Sequence, residues 1–361
     1  MTNCKKIVFF VANLTSRPHR RIQETIEHGF DVDVYCLCKE EGIVTPNYEV
    51  TYFIESKLSN LSYSSRFNGL LPKILKCIKS YDKKSTIFYF FSLNTALATL
   101  FCRLNYVYEE SDMLFDRFRS SILRMIVKKV NLYIIKSSKF TVFTSEGFAQ
   151  YYYGNTRPDN IIFIPNKVNK ECLSLPQIDK NVCDINHIRF GFVGKLRYKT
   201  LYNFAEVIAD KFPQHEFHFF GKNGGFKDEE IKYLESKGNV FFHGIFKNPV
   251  DLPEIYSMID FVVATYDTTG INPRYAEPNK MYEAIFFRTP IIVSKNSFLQ
   301  SKVEQLSIGF ALNAMDKNEI EEGIKTINNI TYQTFSDSLF KINKEDVVGV
   351  SKELFIRLQE L

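Results

Sequence analysis

Short apolar runs alternate with longer amphipathic stretches along this whole chain, and that rhythm limits the fold more than any other feature. In the first half KKIVFFVA, FDVDVYCL, STIFYFFS, LNYVYEES, FTVFTS and NIIFIPNKV read as strands. RPHRRIQETIEHG, NTALATLFCR and FRSSILRMIVKKVNLYIIKSSK read as helices between them. Residues 169–187 lose the period and collect Pro, Asn and Asp, and then the pattern restarts. IRFGFVG, HEFHFFG, NVFFHG, DFVVATY, TPIIVS and GFALNAM are the second set of strands. TLYNFAEVIADKF, DEEIKYLESKG, LPEIYSMI, NKMYEAIFF and NEIEEGIKTINN are helices between or after them. Strands separated by helices of this length form parallel sheets with helices on both faces. The expected fold class is α/β, with two doubly wound Rossmann-like domains facing across a cleft. The expected boundaries are a first domain over 1–170, a linker over 171–187 and a second domain over 188–345. A terminal helix within 346–361 is expected to pack back on the first domain. In such sheets, ligands bind outside the carboxyl ends of the strands.

The 361 residues exceed one comfortable core and suit two. No apolar run is long enough to span a membrane. MTNCKKIVFFVANL reads as a first strand, since it lacks the small-residue cleavage site of a signal peptide. The seven cysteines are scattered, an odd count without paired spacing, which suits reduced thiols in a cytoplasmic protein. Cys36 and Cys38 share one face of an apolar strand and are read as packing residues. The histidines have no metal-ligand spacing.

The stretch YAEPNKMYEAIFFRTPIIVS, residues 275–294, carries the most chemistry. Glu277, Pro278, Asn279 and Lys280 stand at a helix start, and Pro278 suits the first helical position, where a missing N–H costs nothing. Met281, Tyr282, Ile285 and Phe286 give the helix an apolar stripe, while Lys280 and Glu283 share another face. A helix N-terminus with a lysine is an anion site. A carboxylate one turn deeper accepts hydrogen bonds from a pair of adjacent hydroxyls, as on a ribose. The same residues also make an ordinary capped helix with a solvated Lys–Glu pair, and the sequence alone leaves both readings open. A second basic cluster follows the strand ending at Gly194, namely Lys195, Arg197 and Lys199, and it suits a diphosphate.

Two elements of the second half resemble the donor-binding half of GT-B glycosyltransferases, close to family 4. These are Phe192-Val193-Gly194-Lys195-Leu196-Arg197-Tyr198-Lys199 and Glu277-Pro278-Asn279-Lys280-Met281-Tyr282-Glu283-Ala284, followed by Thr289-Pro290-Ile291-Ile292-Val293-Ser294. The Arg-rich start of the first helix, Tyr108 to Asp112, Phe143-Thr144-Ser145 and Ile164-Pro165-Asn166 extend the resemblance over roughly residues 5–325. It implies a nucleoside-diphosphate sugar, UDP or GDP, as donor substrate and no cofactor. Gly194, Lys195, Arg197 or Lys199, and Lys280 would hold the diphosphate, and Glu283 the ribose. Gly244, Ile245 and Phe246 would meet the base, and the segment from Tyr266 to Asn279, Glu277 included, would line the sugar pocket. The first domain would bind the acceptor. Family 4 members usually carry two glutamates eight positions apart. Here the residue eight before Glu283 is Tyr275, with Glu277 two residues on, so retention of configuration does not follow from the pattern. An inverting enzyme needs a base near the acceptor hydroxyl, and Glu110 and Asp112 are the candidates. Neither route calls for a metal, and Asp31-Val32-Asp33 opens an apolar strand rather than forming a metal motif. A nucleotide-sugar epimerase on the same scaffold and a non-catalytic binding or assembly partner are the alternatives.

Charge is uneven: residues 1–175 hold 24 Lys+Arg against 16 Asp+Glu, a net of +8. Residues 115–139 hold seven Lys+Arg against one Asp, around an apolar stripe of Leu123, Ile126, Val127, Val130 and Ile134. A basic amphipathic helix either packs on a core or lies on an anionic membrane surface. The second option suits a lipid-linked oligosaccharide acceptor of a bacterial surface polysaccharide and a peripheral location at the inner face of the plasma membrane. No nucleic-acid recognition motif is present, so nucleic acid is not an expected partner.

Overall fold

A computed structural model describes residues 5–39, 45–54, 63–176, 183–349 and 352–361. The chain forms two compact units, one of Met1–Pro165 with Ser351–Leu361, the other of Asn166–Val350.

The first unit is built on a seven-stranded parallel sheet of order β3-β2-β1-β4-β5-β6-β7. Its strands are β1 (Lys6–Val11), β2 (Asp31–Cys38), β3 (Thr51–Ile54), β4 (Thr86–Phe91), β5 (Tyr106–Glu110), β6 (Phe140–Phe143) and β7 (Ile161–Phe163). Aromatic side chains fill the pleats: Phe10 stacks on Tyr35 and on Phe90, each at 5.3 Å between ring centres. Asp31 and Asp33 pair with Lys6 on the neighbouring strand, at 3.1 and 2.7 Å, and so serve the sheet. Cys36 and Cys38 are buried, and the Cys38 thiol donates to the Ala12 carbonyl at 3.3 Å. The Lys352–Glu360 helix belongs to this unit. It buries Leu354, Phe355 and Leu358, and Phe355 stacks on His28 at 3.6 Å.

The second unit holds a six-stranded parallel sheet of order β10-β9-β8-β11-β12-β13. Its strands are β8 (Arg189–Val193), β9 (Glu216–Phe220), β10 (Val240–Gly244), β11 (Phe261–Ala264), β12 (Ile291–Ser294) and β13 (Gly309–Leu312). Of the expected linker, residues 177–182 lie outside the described residues, while Cys172 and Cys183 are buried in this unit's core. Its first and last segments meet, since Val168 N–H donates to the Val347 carbonyl at 3.0 Å.

Each sheet reverses its strand order at one place, between β1 and β4 and between β8 and β11. These switch points are where doubly wound sheets open a crevice for ligands.

Candidate functional site

In the second unit, three adjacent strands run out into glycines. Gly194, Gly221 and Gly244 follow or end β8, β9 and β10, all with positive φ, at +147°, +143° and +78°. They are tied in a row: Gly194 N–H donates to the Phe220 carbonyl at 2.7 Å, and Gly221 N–H to the Gly244 carbonyl at 2.6 Å. A Cβ on Gly221 would stand 1.8 Å from the Gly194 oxygen, so no other residue fits. Beyond the row lies a pocket of 350 Å³, lined by Gly194 and Lys195, by Gly221 to Gly224, and by Ile245 and Phe246. Lys195 and Lys222 bring two positive charges to its wall. The sequence reading included Gly194, Lys195, Ile245 and Phe246 but missed the Gly221–Gly224 loop. The signal was present, because HEFHFFGKNGG repeats the strand-then-glycine pattern of IRFGFVG.

The Asn279–Phe286 helix follows β11, so its first turn lies at the switch point beside the end of β8. Pro278 stands immediately before the first helical residue, not at it. Lys280 through Phe286 are all buried. The Lys280 ammonium donates to Glu283 Oε2 at 2.9 Å, with side chains only 7% and 4% exposed, which rules out a solvated surface pair. Glu283 also accepts from the Tyr256 hydroxyl at 2.8 Å and from the Asn279 amide at 2.5 Å. Three of the roughly four lone-pair sites of the carboxylate are thus filled by protein donors. The Lys280 Cε stands 3.6 Å from where a Cβ on Gly194 would be, so this side chain reaches the glycine row.

Tyr266 joins the same corner. Its N–H donates to the Ser294 hydroxyl at 2.7 Å, and its ring meets Tyr198 edge-on at 5.1 Å. Arg197 donates to the Tyr198 hydroxyl at 2.7 Å. Burial, Tyr198 and Glu283 push the Tyr266 phenol well above its usual range, with Arg197 opposing. Lys199 is drawn elsewhere, to Glu230 at 3.5 Å and over the Tyr202 ring at 3.9 Å. Glu277 is buried and accepts from the Tyr282 hydroxyl.

The candidate bases of the first unit fall in different surroundings. Glu110, at the end of β5, is 1% exposed and accepts from the Asn131 amide at 2.7 Å and the Tyr152 hydroxyl at 3.0 Å. Burial pushes its carboxyl up to about 8, against those two bonds. Burial thus sets this candidate base apart from the other one, Asp112, by favouring its protonated form. Asp112 is more than half exposed, 3.9 Å from Arg117.

The Ser121–Ser137 helix, capped by the Ser120 hydroxyl, buries only Asn131, Ile134 and Ile135. Ile122, at 67% exposure, and Met125, at 52%, face solvent, as do Leu123 and Ile126. Leu123 and Ile126 of the expected core stripe, with Ile122 and Met125 beside them, therefore form an open apolar surface. Among the described residues no helix is long and apolar enough to cross a membrane.

Residues 187–328 match the family described as glycosyl transferases group 1. No curated protein matches the sequence. Among solved structures, HepE of Anabaena in complex with UDP and glucose is 16% identical, with a TM-score of 0.69 over 98% of this chain and 99% of that one. Sucrose-phosphate synthase of Thermosynechococcus elongatus is 15% identical, with a TM-score of 0.65 over 95% and 96%. A UDP-N-acetylglucosamine 2-epimerase is 12% identical, with a TM-score of 0.56 over 92% and 91%. The fold is the GT-B fold, and the second unit carries the group 1 glycosyl transferase sequence pattern.

Proposed function

We propose that this chain transfers the sugar of a uridine-diphosphate sugar to a carbohydrate acceptor, releasing uridine diphosphate, with the donor held by the second unit. The buried Lys280–Glu283 pair at the β8/β11 switch point, with Lys280 against Gly194, is the observation that carries the reading. Two of the three Lys280 donor positions are not used by Glu283, and the helix N-terminus adds its own positive end. Together with Lys195, Lys222 and Arg197 they neutralise the charge that grows on the departing diphosphate, without a metal. The base lies against Ile245 and Phe246, one ribose hydroxyl donates to the lone-pair site left open on Glu283, and the sugar lies between Tyr266 and Glu277. HepE, which shares the fold, was solved with UDP and with UDP-glucose, which favours uridine over guanosine.

The acceptor in this proposal is a lipid-linked oligosaccharide of capsule, exopolysaccharide or O-antigen synthesis. The exposed apolar turn of the Ser121–Ser137 helix supports that choice, since it sits among lysines and arginines and suits an anionic bilayer at the cytoplasmic face. A thermal-shift screen with UDP, GDP, TDP and CMP tests the donor, and a rise with UDP alone is expected. No shift with any of them would leave a non-catalytic relative. Because an epimerase shares this fold, the products of UDP-sugar incubated without acceptor decide between the two activities. Epimerised sugar there would overturn the transferase reading.

A further inference from the structure

At the switch point of the first unit, between the ends of β1 and β4, several polar groups are buried without partners. Arg17 is the second residue of the Ser16–Glu27 helix, which starts just after β1. Its Nε is shielded from solvent and has no hydrogen-bond partner. One turn on, Arg21 Nε donates to Glu109 Oε2 at 3.2 Å, and the Tyr89 hydroxyl donates to the same oxygen at 2.5 Å. The other oxygen, Oε1, has no partner although Glu109 is fully buried. Glu109 is also the strongest attractive charge on Arg17, whose guanidinium is pushed down by burial. Ser92 follows β4, and its N–H donates to the Glu109 carbonyl at 2.9 Å. Its hydroxyl is buried and unpartnered, and its backbone, at φ +72° and ψ 158°, lies in a region that is essentially glycine's alone. Native proteins satisfy buried polar groups, and strained residues cluster where ligands bind.

We propose that Arg17, Glu109 Oε1 and Ser92 form a sugar-binding subsite that takes a neutral, polyhydroxylated ring. This rests on the acceptor being a carbohydrate and names where one of its rings is held. An unpartnered Arg17 Nε, electrostatically coupled to a carboxylate with an unpartnered oxygen, matches a pair of adjacent ring hydroxyls, one accepting from Arg17 while the other donates to Glu109. The serine hydroxyl both donates and accepts. A phosphate satisfies Arg17 but meets the carboxylates of Glu109 and Asp112, which face the same guanidinium.

Saturation-transfer NMR on the full chain, with methyl glycosides of glucose, galactose, mannose and N-acetylglucosamine, tests this beside inorganic phosphate and UDP. The wild type binds at least one glycoside and not phosphate. Arg17→Gln and Glu109→Gln each weaken that glycoside about tenfold or more, as expected for one hydrogen bond to a charged group, and leave UDP unchanged. Ser92→Gly relieves the backbone, so its melting temperature rises while glycoside binding falls, which a merely structural serine does not produce. No glycoside binding by the wild type, binding indifferent to all three variants, or binding of phosphate in place of glycoside overturns the subsite. Failure of the transferase reading shows separately, as an absence of UDP binding in the wild type.

Discussion

A buried ammonium and a buried carboxylate, Lys280 and Glu283, hold each other at the mouth of the glycine row. Removing one partner of such a pair strands the other, at about 3–5 kcal/mol. Lys280→Met is therefore expected to lose stability on that scale and, if the diphosphate reading holds, about ten- to a thousandfold in turnover. The two losses have different causes. Lys280→Met with Glu283→Gln removes the stranded charge, so it regains most of the melting temperature but not the turnover. Recovery of both would make the pair structural only. Glu110 offers a second residue-scale test. Its folded-state carboxyl, at about 8, lies above the ordinary 4.5, so the folded chain binds this proton more tightly than the unfolded one. The contribution is full below 4.5 and is lost as pH rises through 8. Thermal melts between pH 6 and 9 should fall more steeply for the wild type than for Glu110→Gln. Equal slopes would mean that the carboxyl is already ionised in the folded chain.

The Ser121–Ser137 helix shows how one element answers to two solvents. Its second half docks through Ile134 and Ile135, while Ile122, Leu123, Met125 and Ile126 meet water. Substitutions at exposed positions cost little, within about 0.5 kcal/mol. Ile122→Ser with Met125→Ser should keep the melting temperature and lose sedimentation with phosphatidylglycerol vesicles. Unchanged sedimentation would remove the membrane role. The sequence carries this helix, its charge and its apolar residues, but not which turns are covered, because that depends on neighbours far along the chain. The same limit explains the rest. The Asn279–Phe286 helix and the glycine-ended strands were legible because cap, period and breaker are local signals. Tyr256 was not, since it reaches Glu283 from another helix, 27 residues earlier. Nor was the sealing of Glu110, which depends on Asn131 and Tyr152, 21 and 42 residues on. β3 escaped because TYFI is short and only partly buried, with no apolar alternation to mark it.

On the scale of the whole molecule, the chain leaves the first unit after Pro165, builds the second, and returns for its last residues. The first unit is therefore not closed until the Lys352–Glu360 helix is made. The Lys352–Glu360 helix supplies it with Leu354, Phe355 and Leu358, and Arg357 donates to the Asp159 carbonyl at 3.1 Å. Burying three such side chains is worth about 1.5–3 kcal/mol each, comparable to the whole stability of an ordinary domain. Ending the chain at Gly349 keeps every described strand of both sheets, and it keeps the Val168–Val347 hydrogen bond that ties the two ends of the second unit. Such a truncation should split thermal unfolding into two steps. The earlier step belongs to the first unit and is indifferent to UDP. The later one belongs to the second and rises with UDP, by about 2.7 kcal/mol at a hundredfold excess over the dissociation constant. Differential scanning calorimetry with and without UDP reads both. A single step that UDP shifts as a whole would mean that the two units fold as one, and that the last helix is dispensable to the first.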